Sequence, residues 1–290
     1  MSLLATNAPG EKSAHTSTST NKLTISADTF DYARTNTVTH GPIAIFNGAV
    51  HAVDPQATLD CELLTIFFNH TNRLARAVAD RNVLITRTDG SINGVRAVFE
   101  NDEISVPSNP TWRMKENTGT AELLVFNPRT REVRALQKVR MEIPVASATN
   151  LLLSGASTNR SAPTATNILV VTADYFTNKD NTATFAGHVR ASEPRGQIDA
   201  NKIELHINST NRVQRVIAEG DVIITELKMQ AIGQRADYNV VTGIIRLTGT
   251  PKVLSEESET IAKEFVVDLV KHQRQPIAPF QIKIRNLKKK

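Results

Sequence analysis

Apolar and polar residues alternate with a period of two through most of this chain. Ile203, Leu205 and Ile207 are interleaved with Glu204, His206 and Asn208, and Leu64, Ile66 and Phe68 repeat the same register far upstream. That spacing puts one apolar and one polar face on an extended strand. Further strands are predicted at residues 73–79 and 212–218, 83–87 and 222–226, and 244–247. Turn-forming clusters separate them: Asn69-His70-Thr71-Asn72, residues 208–211 and Glu219-Gly220-Asp221. The cluster at 208–211 lies between two strands and reads as a hairpin. A helical period shows only at residues 261–269, where Ala262-Lys263-Glu264 could equally open a last strand. The prediction is an all-β chain of antiparallel strands.

The pattern is written twice. Residues 46–100 align on residues 185–239 without a gap. Identities include Gly48 with Gly187, Pro55 with Pro194, Thr71-Asn72-Arg73 with Thr210-Asn211-Arg212, and Gly94, Arg96 and Ala97 with Gly233, Arg235 and Ala236. With short insertions the match extends to Ile25 through Phe30 over Val171 through Phe176, and to residues 104–110 over 245–251. Each copy then has roughly 85–90 residues of shared pattern, a suitable size for one small β domain and short for an α/β enzyme domain. Between the copies, residues 121–127 echo 61–67 and residues 131–135 echo 72–76, so a third half-copy is expected to continue the sheet. The expected organisation is a disordered segment 1–22, domain 1 at 23–150, a linker rich in Ser, Thr, Ala and Asn at 151–166, domain 2 at 167–270, and a basic tail at 271–290.

Composition narrows the class. The chain is 40% apolar and 22% charged, enough to bury a core, and no run approaches the ~20 apolar residues of a membrane-spanning helix. The single cysteine, Cys61, excludes an intramolecular disulfide framework. It sits at an apolar position opposite Ala200 and reads as a buried thiol. The seven histidines show neither HExxH nor Cys/His ligand spacing, and no Gly-x-Ser-x-Gly or phosphate-cradling loop is present. No enzyme activity, cofactor or metal is expected. A net charge of +5 with only 5% aromatic residues lacks the interleaved stacking platform of a nucleic-acid binder, so no nucleic-acid partner is expected either.

A recurring motif order carries a resemblance. It runs through Gly48-Ala49-Val50, Gly187-His188-Val189 and Gly220-Asp221-Val222, then Arg96-Ala97-Val98-Phe99 and Arg235-Ala236-Asp237-Tyr238, and ends on Leu247-Thr248-Gly249-Thr250-Pro251. This order resembles the OstA-like family of lipopolysaccharide-transport proteins, over residues 23–254. The first copy departs from it where Arg81 replaces the glycine matched by Gly220, and where Ser108-Asn109 replace Gly249-Thr250.

The resemblance implies two tandem β-jellyrolls, each opened into a V whose apolar trough takes acyl chains. It also implies a periplasmic location, although no signal peptide is visible at Met1. Lipopolysaccharide or a similar acylated glycolipid is the implied ligand, since each methylene removed from water is worth ~0.8 kcal/mol. Candidate trough liners pair between the copies: Phe46 with Phe185, Leu59 with Ile198, Leu64 with Ile203, Ile66 with Leu205, Phe68 with Ile207, Leu74 with Val213, Val83 with Val222, and Ile85 with Ile224. For any one of them an ordinary sandwich-core role is the competing reading. A basic cluster of Arg129, Arg131, Arg134, Lys138 and Arg140, with Arg73, Arg76, Arg212 and Arg215, is a candidate rim for lipid phosphates. Open terminal strands would pair with inner- and outer-membrane transport proteins or, head to tail, with further copies. The alternative from another class is a structural β-repeat scaffold of the cell envelope with a closed core and no lipid. A catalytic domain carried on this scaffold is a third option, which a cleft with two perturbed carboxylates would revive.

Overall fold

The structure, a computed structural model, describes residues 23–34, 41–145, 167–194, 196–208, 213–226, 229–269, 271 and 273–284. The expected disordered segment 1–22, the linker 151–166, Arg212 and most of the 208–211 turn lie outside the described residues. Twenty strands form among the described residues, all paired antiparallel within one hydrogen-bonded sheet. The first copy supplies β1 (Thr24–Ser26), β2 (Thr29–Ala33), β3 (Ile43–Val53), β4 (Ala57–Phe68), β5 (Leu74–Arg87), β6 (Gly90–Glu100) and β7 (Glu103–Pro107). It continues with β8 (Thr111–Met114), β9 (Asn117–Thr120), β10 (Leu123–Phe126) and β11 (Val133–Val145). The second copy supplies β12 (Asn167–Lys179), β13 (Thr182–Glu193), β14 (Gly196–Ile207), β15 (Val213–Glu226) and β16 (Met229–Asn239). It ends with β17 (Ile244–Thr248), β18 (Lys252–Leu254), β19 (Ser258–Asp268) and β20 (Gln273–Ile284).

Most strands pair with their neighbours in sequence, and the exceptions recur in both copies. β6 pairs with both β7 and β8, as β16 pairs with both β17 and β18. The pair β9 and β10 plays the part of the single β19: β9 joins β8 and β10 joins β7, while β19 joins β18 and β17. Residues 111–145 are therefore the closing strands of the first unit, equivalent to β18–β20, and not a third half-copy. The echo with residues 61–67 arises because both stretches are strands with the same inward-facing period. Residues 261–269, ambiguous in the sequence, lie almost entirely on strand β19. The stretch 271–290, read above as a basic tail, contains β20, which pairs with β19 along its length.

The two copies are joined by backbone pairing. β11, the last strand of the first unit, pairs with β12, the first of the second, through eleven residue pairs from Val133/Asn178 to Val145/Asn167. The ladder between β13 and β14, inside the second unit, has ten.

One backbone device recurs across the sheet and explains the Gly-x-Val motif. On alternate long strands two consecutive residues take positive φ and leave the ladder: Gly48 (80°) and Ala49 (41°) on β3, Arg81 (67°) and Asn82 (51°) on β5, and Gln137 (63°) and Lys138 (50°) on β11. Gly187 (76°) and His188 (46°) do so on β13, and Gly220 (76°) and Asp221 (50°) on β15. At each point the register shifts, the signature of a β-bulge that bends its strand. The residue that follows each bulge returns to the core, and Val50, Val83, Val139, Val189 and Val222 are all 2% exposed or less. This crease folds the long meander over, so that strands far apart along it share one hydrophobic cluster, the two-layer arrangement of a β-jellyroll. Among the described residues no polar or charged side chain is buried.

Candidate functional site

The sixteen candidate liners separate by depth. Leu64, Ile66, Val83 and Ile85 in the first copy are buried in the core. So are Phe185, Ile198, Ile203, Leu205, Val222 and Ile224 in the second, with Phe185 fully enclosed. Phe46, Leu59, Phe68, Ile207 and Val213 are half-buried and pack on the same cluster. Leu74 is exposed. Apart from Leu74 the set is thus one continuous apolar interior, and Ile85 and Ile207 also line an opening on it.

That opening is a cavity of about 410 Å³ where the two units meet. Its apolar wall comes from Ile85 on β5, Ile92 on β6, Leu124 and Phe126 on β10, Val133 on β11 and Ile207 on β14. Trp112 on β8 lies among them at 2% exposure. The indole lies over Gly119, its cross-strand partner on β9, where a Cβ would collide with the ring. The rim is charged: Arg87, Arg113, Arg131 and Lys179 face Asp89 and Asp180. The Arg87 guanidinium stands 4.4 Å over the Phe126 ring and 3.1 Å from Asp89, a stacked and paired cation at an apolar edge. The β12–β13 turn of the second unit, Asn178 through Asn181, completes the boundary.

The second unit has an equivalent but nearly closed opening of about 40 Å³, lined by Ile224, Ala231, Val253, Phe265 and Val267 among others. Val253 stands where the first unit has Trp112. The repeat-based reading missed Trp112, Arg87, Arg113 and Phe126 because the second copy lacks counterparts of the same type. The one signal available was Trp112 itself, the only tryptophan in the chain.

The expected basic rim is mostly satisfied by carboxylates. Arg134 meets Glu103 at 2.5 Å, Lys138 meets Glu122 at 2.5 Å, Arg140 meets Glu142 at 2.9 Å, and Arg129 meets Asp102 at 3.3 Å. Arg215 donates to Asp237 from Nε at 2.8 Å, which holds the Asp237 carboxyl below its ordinary value. Of the cluster, Arg131 is the member that lines the cavity. The Cys61 thiol donates to the Leu63 carbonyl at 3.4 Å, and burial pushes its pKa up to about 11. It stays a neutral core group at physiological pH.

At the outer edges, apolar side chains face solvent. Phe30 and Tyr32 on β2 are each 57% exposed, and Phe280, Ile282 and Ile284 on β20 are 50% exposed or more. These two strands stand at opposite ends of the meander, each paired on one side only among the described residues.

Comparison with known proteins places the second unit. Residues 171–273 match the model of the family described as LptA/(LptD N-terminal domain) LPS transport protein. No curated protein matches the chain. Among solved structures the chain is similar to LptH from Pseudomonas aeruginosa, the LptA-homologous periplasmic component of its lipopolysaccharide transport device. The identity is 17%, the match covers 41% of this chain and 95% of that one, and the TM-score is 0.37. Over residues 171–273 the chain thus matches a family of lipopolysaccharide-transport proteins.

Proposed function

We propose that this chain is a non-enzymatic periplasmic protein that binds lipopolysaccharide, or a similar acylated glycolipid, and passes it along an apolar path between the inner and outer membranes. The observation that carries this reading is the family match over residues 171–273, supported by the continuous apolar interior that opens at the unit junction. The two units, 23–150 and 167–270, each contribute candidate liners to that interior. Burial of acyl chains there needs no catalytic group, because it is driven by removal of methylenes from water.

Partners are reached through the sheet edges. β2 and β20 present open backbone edges with exposed aromatic and aliphatic side chains, and the β11–β12 ladder shows that a closing strand of one unit accepts the opening strand of the next. Membrane-bound transport proteins or another copy of this chain would add by the same pairing. Sedimentation velocity across a concentration range tests the self-association: growth of head-to-tail species supports it, and a monomer at every concentration removes it.

The direct test is photo-crosslinking from probes at Phe68 and Ile207, equivalent positions in the two units, in a Gram-negative envelope. Lipopolysaccharide adducts at both are expected. None at either, with adducts on a known carrier run in parallel, overturns the transport reading. One observation favours the scaffold alternative, namely that ten of the sixteen candidate liners are fully packed in the core. Uptake of an apolar dye by the native protein separates the two readings, since a sealed sandwich takes up none.

A further inference from the structure

The second unit's opening has one cation and one carboxylate, Arg274 and Glu226, whereas the cavity between the two units carries an excess of cations at its rim, four against two carboxylates. We propose that it is a dedicated site for one anionic amphiphile, whose acyl chain lies on Trp112, Ile92 and Phe126 and whose phosphate or similar head group is held by Arg113 and Arg131. The transport reading above motivates an acylated ligand, but the site would stand without it.

The charge balance selects the sign of the ligand. Four cations, Arg87, Arg113, Arg131 and Lys179, ring the opening against two carboxylates, Asp89 and Asp180. Arg87 is spent on Asp89, and Lys179 on Glu132 at 3.5 Å. Arg113 and Arg131 have no ion-pair partner among the described residues and are exposed, so their guanidinium groups are available to an anion, for which the planar fork is suited. The backbone that carries Arg131 is held in place. The β10–β11 turn is fixed by the Asn127 side chain, which accepts hydrogen bonds from the Arg129 and Thr130 amides at 3.0 Å, and the Arg131 amide donates to the Asn127 carbonyl at 2.8 Å.

The floor selects an apolar tail. The cavity volume of about 410 Å³ falls in the range of small-molecule sites, ~300–1,000 Å³. The Trp112 ring forms part of that floor, at 2% exposure.

The junction makes the site. The boundary formed by Asn178 through Asn181 belongs to the second unit, and the second unit's own opening is only about 40 Å³. One such ligand per chain is therefore expected.

Because Trp112 is the only tryptophan, its emission reports on this cavity directly. The full chain would be titrated with dodecyl phosphate below its micelle concentration, with dodecyl maltoside, and with inorganic phosphate. The proposal expects a saturable emission change with dodecyl phosphate, at one ligand per chain. In the Arg113→Gln/Arg131→Gln double variant this binding weakens by roughly tenfold or more, as loss of charge-assisted contacts requires, while the weaker response to dodecyl maltoside is unchanged. Both arginines are exposed, and an unchanged circular dichroism melt would confirm that the variant is folded. Equal affinity for the phosphate and maltoside amphiphiles, or no effect of the double variant, overturns the head-group assignment. A full response to inorganic phosphate alone makes it a free-anion site, and no response to any probe makes the cavity inert. Binding of dodecyl phosphate without lipopolysaccharide adducts at Phe68 and Ile207 would remove the transport reading and leave this site intact.

Discussion

The two units build the same crease from different residues. In the second unit the first left-handed residue is glycine each time, at Gly187 and Gly220 on the strands and at Gly249 in the β17–β18 turn. The first unit keeps Gly48 but places Arg81 and Ser108 at the other two positions, with φ of 67° in both. A side chain in this conformation costs ~1–2 kcal/mol relative to glycine, so the first unit holds its crease under strain that surrounding strands must overcome. Core depth differs in the same direction. Phe185 is fully enclosed, whereas its counterpart Phe46 is half-buried and stacks at 4.9 Å on the exposed Phe30. The family match falls on the unit that keeps the glycines. Backbone geometry here outlasts the residue types that most cheaply produce it.

The largest expected effect that sharpens this contrast is in the core. Phe185→Ala should cost ~3–5 kcal/mol, and Phe46→Ala less than half of that, read from urea denaturation midpoints. Equal losses would break the distinction between a tight second unit and a looser first one. Next, Gly220→Ala should destabilise by ~1–2 kcal/mol, because its φ is +76° and the added Cβ would lie 2.6 Å from the Asn201 amide nitrogen. The reverse exchange, Arg81→Gly, should leave stability unchanged or raise it by up to ~1 kcal/mol. The strain relieved outweighs the 3.6 Å surface pair with Glu62, and a clear loss of stability would show that no strain is stored there.

The smallest effect is electrostatic. Hydrogen bonding to Arg215 holds Asp237, and to Lys202 holds Glu204, below the ordinary carboxylate value. A depressed folded-state pKa adds stability that is complete above the ordinary carboxylate range and is lost as pH falls through the folded values. The groups are partly exposed, so the contribution is a few tenths of a kcal/mol at most. Val98 stands in the first unit where the second has Asp237. Asp237→Val should therefore flatten the acid limb of a melting-temperature profile, and an unaltered limb would remove this difference between the units.

Much of the fold was legible because period-two alternation and a gapless repeat are both local properties of the sequence. Ile203, Leu205 and Ile207 could be placed on one face without knowing what they faced. The closing strands were harder. β9 and β10 in the first unit match one continuous β19 in the second, and that break hid their equivalence behind a closer resemblance to β4. β20 was hidden because Arg274, Lys283 and the charged residues beyond it obscure the alternation of an edge strand whose faces are both largely exposed. The cavity was not legible at all. It depends on β5, β8, β10 and the β12–β13 turn converging through the crease, and no spacing within the sequence records that.

The nearest-neighbour order of the meander also bears on how the chain is made. Most strands hydrogen-bond to the strand just before them, so a polypeptide emerging from its N-terminal end could add strands one at a time without waiting for a distant partner. Loop closure at each step is short, which favours rapid assembly. The same order leaves the newest strand as a bare edge throughout synthesis, open to pairing with other nascent chains. A long chain of this design therefore benefits from an escort that caps its growing end.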